Sequence, residues 1–193
     1  MNKRSLRTAW NSRMLAILGV LIAMQIILSR MLRIDLGFAR ITLSSVCPIM
    51  AGLWFGPLPG AVCGLTADIL GSFLSGYAPN PLITAAAAVW GILPALALYF
   101  LGRGSRKRKI IAICAGIVAS GLLGTMGLTY AGLVMLGYNP AAIFTARVIQ
   151  FALMTPIYSI LSCCLYFGPV TDFLENITAV SGKKTSWADR TQK

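Results

Sequence analysis

The chain has 193 residues, of which 57% are hydrophobic and 11% charged, with a mean hydropathy of +0.77. Soluble domains carry roughly 25% charged residues, so this composition excludes an ordinary soluble fold and points to an integral membrane protein. The net charge of +12 would suit a nucleic-acid partner, but the basic clusters flank apolar runs and carry few interleaved aromatic residues, which argues against one.

The apolar runs are continuous and do not alternate, which argues against a β-barrel; at about 20 residues per span the length allows roughly six spanning helices. Residues 1–13 form a basic amino-terminal stretch, and no signal-peptide cleavage pattern precedes the first run, so it reads as a retained anchor. The membrane domain is expected over 14–167 and a polar tail over 168–193. Within that domain Met14 to Ser29 is the first helix, followed by a polar connector around Arg33, Asp35 and Arg40. Ile41 to Phe55 is the second, a run of only 15 residues, and the GPLPG turn at Gly56 to Gly60 separates it from a third helix ending near Gly76. The prolines of GYAPNP stop that helix. Leu82 to Leu101, Ile110 to Leu136 and Ala141 to Phe167 complete the set. The expected fold class is an all-α membrane protein, a single bundle of six transmembrane helices.

Charge distribution orients this bundle. Of 17 Lys and Arg residues, four precede the first span, five lie in GRGSRKRK and four lie in the tail, and six spans put all of these on one side. The positive-inside rule makes that side the cytoplasm, with both termini in it. The remaining bases, Arg30, Arg33, Arg40 and Arg147, map to the opposite ends of spans or to the first external loop. An arginine at a helix end can simply snorkel to the headgroups. Arg147 is different, because FTARVIQFALM holds it about two turns inside the sixth run with Phe144, Gln150 and Phe151 three and four positions away.

Asp68, in GLTADILGSFLSG, is the one carboxylate inside an apolar run. It shares a helix face with Gly64, Gly71, Ser72 and Ser75, so it looks across small residues and not at lipid. Two readings stay open: a buried counter-ion for Arg147 or Arg40, or an acceptor for a ligand with adjacent N–H donors. Small residues four apart, as in Gly52 and Gly56, Gly60 and Gly64, and Gly116, Ser120 and Gly124, mark close helix packing. Gly19 and Ala23 put the same spacing on the first helix.

Enzyme chemistry has little to stand on. The chain has no His, its five cysteines lie inside apolar runs without metal-ligand spacing, and no Gly-rich phosphate loop with a Lys is present. No metal or cofactor is expected.

The order of short motifs resembles a family. An LSR-type end to the first helix, the Arg40-Ile41 pair, the AGLWFGP turn, the AD-x-x-G element at Ala67 to Gly71, a proline-containing loop followed by Thr84, and AR-V-I at Ala146 to Ile149 together are similar to the substrate-binding S-components of energy-coupling factor vitamin transporters. The likeness covers about residues 14 to 167 and is greatest to the folate-specific branch; NPLITAAAAVWG departs from that branch's aromatic-rich stretch. The resemblance implies a six-helix bundle that binds a vitamin outside the cell and works with a transmembrane coupling protein and two cytoplasmic ATPases. It implies ligand-binding roles for Arg30, Arg40, Asp68, Thr84, Arg147 and Gln150, and a contact with the coupling protein at Gly19 and Ala23. Folate suits these groups: its glutamate carboxylates call for arginines, and its flat pterin ring for aromatic rings and a carboxylate. A queuosine precursor or another pterin-like or deazapurine-like ligand remains an alternative, as does a structural membrane protein whose arginines only touch headgroups.

Overall fold

A computed structural model of the chain describes residues 12–30, 34–35, 40–76, 78–102, 105–137 and 139–171. The basic residues before Ser12, Arg33, Arg103 and the tail beyond Thr171 lie outside the described residues, as does the side chain of Arg40. Helix α1, Ser12–Arg30, leads into a two-residue ladder in which β1, Ile34–Asp35, pairs antiparallel with β2, Arg40–Ile41. The second helix therefore does not begin at Ile41 as expected; α2 spans Val46–Phe55. Polar side chains explain the shortening: Thr42 and Ser44 hydrogen-bond each other at 3.1 Å, and such residues favour turns over helix interiors. At 10 residues α2 is about 15 Å long, half of a hydrocarbon core.

Gly56, at φ 109°, turns the chain back into α3, Pro57–Leu74. The turn closes on bare backbone: a Cβ on Gly60 would stand 2.7 Å from the Gly52 Cα and 2.6 Å from the Gly91 carbonyl oxygen. Only glycine lets α2, α3 and α4 meet at this distance. Helix α4, Pro81–Leu101, starts with proline in its first turn and Asn80 capping the Leu82 amide at 3.0 Å. It is the hub of the bundle, packed against α2, α3 and the whole rod that follows it.

That rod runs continuously from Arg106 to Met135 as α5, Arg106–Ser120, a π-helical segment, Gly121–Thr129, and α6, Tyr130–Met135. Its contacts explain the π-turns. Gly116 lies against Pro94 and Leu93, Ser120 donates to the Val89 carbonyl, Gly124 faces Trp90 and Ala86, and Gly132 faces Leu82 and Ile83. One face thus follows α4 along most of its length in steps of four and eight residues. An α-helix turns 100° per residue, so Gly132 would be about 160° out of phase with Gly116. The wider π-turns take up that drift, and Thr129 holds them by donating its hydroxyl to the Gly124 carbonyl at 2.7 Å. Helix α7, Pro140–Tyr166, closes the bundle against α2, α5, the π-segment and α6.

Among the described residues five helical rods are long and apolar enough to cross a membrane, with α2 as a shorter sixth. The core is the cluster of Ile49, Met50, Trp90, Ile113, Ile117 and Tyr158, while Val20, Leu74, Phe100, Leu123 and Ile160 face outward, as a lipid solvent permits. One end of the bundle gathers the end of α2, the start of α5 and the end of α7. There Trp54 donates to the Thr171 hydroxyl at 3.0 Å, and the Arg106 guanidinium stands 4.8 Å from the Phe167 ring centroid.

Candidate functional site

Helix α7 presents a stripe at steps of three and four residues: Arg147, Gln150, Phe151, Met154 and Tyr158. Asn139 caps its first turn by accepting the Ala141 amide at 3.1 Å, which fixes where the stripe begins. The stripe walls a cavity of about 110 Å³. Trp90 of α4, Thr125 and Thr129 of the π-segment, and Thr42 and Ser45 before α2 supply the other walls.

At one end of the cavity the Arg147 guanidinium donates to the Gln150 amide oxygen at 2.6 Å, which fixes the orientation of both groups. Three helical turns along, Tyr158 meets Trp90 edge to face, with ring centroids 5.3 Å apart and planes at 77°. The Tyr158 hydroxyl donates to the Thr42 carbonyl and so ties α7 to the segment ahead of α2. A cation and an amide at one end, with aromatic planes and hydroxyls at the other, suit an elongated ligand that pairs an anionic group with a flat polar ring.

The residues expected from the sequence fall into separate groups. Arg147 and Gln150 line the cavity. Asp68, Thr84 and Arg30 form a second polar cluster between α1, α3 and α4, outside the cavity lining. In it the Thr84 hydroxyl donates to an Asp68 carboxylate oxygen at 2.7 Å. The Arg30 guanidinium lies over Gly71, where a Cβ would come within 2.9 Å of it. Asp68 and Gly71 are three residues apart, so the carboxylate and the guanidinium share one face of α3. Arg40 holds its place in β2 opposite Asp35. Phe144 points away from the cavity, 54% exposed and edge-on to Tyr130. Gly19 and Ala23 are both exposed, with open space where a Gly19 side chain would project.

Trp90, Tyr158, Thr125, Thr129, Thr42 and Ser45 line the cavity in addition to the residues expected from the sequence. The stripe that starts at Arg147 reaches Tyr158 after three turns, and the four-residue repeat through Gly116, Ser120 and Gly124 reaches the π-segment; both signals were in view. Thr42 and Ser45 join the site only through tertiary folding.

Comparison with known proteins gives the family. Residues 13–166 match the ECF transporter, substrate-specific component family. A folate transporter FolT from Clostridium novyi (strain NT) is 26% identical over 148 residues, 74% of this chain and 81% of that one. Among solved structures, FolT bound with folic acid superposes with a TM-score of 0.66 at 26% identity, covering 80% of this chain and 94% of that one. The S component of a bacterial ECF transporter gives 0.62 at 19% identity over 84% and 98% of the two chains, a likeness of fold. From its cluster of apolar helices to this family match, the chain belongs to the substrate-specific components of ECF transporters, non-catalytic multi-pass membrane subunits that bind a vitamin and pair with an energising module.

Proposed function

We propose that the protein captures folate from outside the cell and passes it to a coupling protein driven by two ATPases. The observation that carries the reading is the cavity's polarity, with Arg147 and Gln150 at one end and Trp90 with Tyr158 at the other. Folate has the matching order, a glutamate with two carboxylates joined to a planar pterin. Arg147 and Tyr158 are separated by about 16 Å along α7, which suits an extended ligand lying on the helix. The folate-binding relatives, at 26% identity, support the same choice.

The cavity's 110 Å³ is below the roughly 300–1,000 Å³ of pockets that enclose drug-sized ligands, so admitting a whole folate requires the walls to part. The segment Thr42 to Ser45, linked to α7 through Tyr158, is the wall that moves. Arg30, Asp68 and Thr84 buttress the pocket by tying α1 and α3 to α4, the helix that carries Trp90. The exposed Gly19 and Ala23 face of α1 is the docking surface for the coupling protein. Mass spectrometry of small molecules extracted from the purified protein tests the substrate. Folate in the extract is the expected result, and a deazapurine such as a queuosine precursor in its place would replace folate with the competing ligand.

A further inference from the structure

We infer that Trp90 and Thr125 form the ligand-reading floor of the cavity, a pair of donors, indole N–H and hydroxyl O–H, for the acceptor edge of a planar nitrogen heterocycle. This deepens the folate reading and rests on it. Both residues are 9% exposed, and both line the cavity. Neither the Trp90 indole nor the Thr125 hydroxyl hydrogen-bonds another described residue, and neither is among the fully enclosed polar atoms without a partner; both therefore remain open to the cavity. Donors that face a confined cavity are met by water or by a ligand, so two of them in one lining suit an acceptor-bearing occupant.

The neighbouring hydroxyl has a different task. Thr129 is committed to the Gly124 carbonyl, where it holds the π-turn. Gly124 keeps the indole accessible, because a Cβ there would stand 3.3 Å from Trp90 Nε1. The π-turns thus serve recognition as well as packing. In α-helical register Thr129 would point about 180° from Ser120, which packs on α4, and the wall beside Trp90 would be lost. A pterin carries its ring carbonyl and an adjacent ring nitrogen as acceptors on one edge, a pattern that a pair of donors in one lining can read.

The test is calorimetric titration of the purified full chain with folate, using the wild type, Trp90→Phe, Thr125→Val and Arg147→Gln. Bound folate is also competed with pterin or with p-aminobenzoylglutamate, and ligand-free melting curves check folding. Trp90→Phe and Thr125→Val should each weaken folate binding about tenfold or more and abolish competition by pterin, with competition by p-aminobenzoylglutamate intact. Arg147→Gln should show the reverse selectivity, which a loss of stability alone would not produce. Folate affinity within twofold of wild type in both floor variants overturns the inference and leaves the folate reading standing. If the wild type does not bind folate, that reading falls, and the titration is repeated with pterin, guanine and riboflavin. Binding of one of these that Thr125→Val weakens tenfold upholds the floor; binding of none, or binding that neither variant changes, overturns it.

Discussion

Asp68 and Arg147 are the two charges set deepest in the apolar runs, and the fold gives them different company. Arg147 keeps the amide three residues along its own helix, a pairing legible from sequence because helical neighbours need no tertiary information. Asp68 takes its hydrogen bond from Thr84 on the next helix. The sequence resemblance implies a ligand contact for Thr84, while its bond to Asp68 depends on how α3 and α4 align, which local spacing does not encode. Thr84→Val should therefore act on stability: removing the donor from a partly buried carboxylate costs on the order of 1–2 kcal/mol and leaves folate affinity nearly unchanged. Thermal unfolding in detergent, with and without folate, checks this. A large loss of affinity without a loss of stability would move Thr84 from buttress to ligand contact.

Helix number and most helix ends were legible because apolar runs, prolines and asparagine caps are local signals, as Asn80-Pro81 and Asn139-Pro140 illustrate. The start of α2 and the π-segment were not. At Ile41 the apolar character is genuine but a ladder with Ile34 competes for the backbone; at Gly121 the helix continues, and only its contacts with α4 demand a wider turn. Gly52, Gly60, Gly64, Gly116 and Gly124 do pack closely against α4, whereas Gly56 serves as the turn and Gly19 faces open space, and the cost of filling a packed position is calculable. Gly60→Ala would place a methyl group 2.6 Å from the Gly91 carbonyl oxygen and force α3 from α4. The expected destabilisation is about 1–3 kcal/mol, the range for overpacking, read as a lowered melting temperature. An unchanged melting temperature would show that the three-helix contact is looser than its geometry implies.

At the scale of the whole molecule, the gathering of Trp54, Arg106, Phe167 and Thr171 at one end fits a bundle whose basic turn and carboxyl end of α7 share a side. By the positive-inside rule we expect that side to be the cytoplasmic one. In a cysteine-free background a cysteine at Lys107 should be labelled by an impermeant thiol reagent only after the membrane is opened, and strong labelling of intact cells would invert the topology. The outward face of α1 makes a separate forecast. Gly19→Leu and Ala23→Leu should reduce co-purification with the coupling protein and uptake, while folate binding by the solitary subunit persists. Normal co-purification of both variants would place the contact elsewhere.

Equilibrium binding of folate to the purified protein and to Arg147→Gln shows whether the Arg147 end of the cavity holds the anionic half of folate. Tight binding by the wild type and a loss of about 2–5 kcal/mol in the variant, with its ligand-free melting curve unchanged, are the expected results. Equal folate affinity in the two proteins would contradict that role for Arg147.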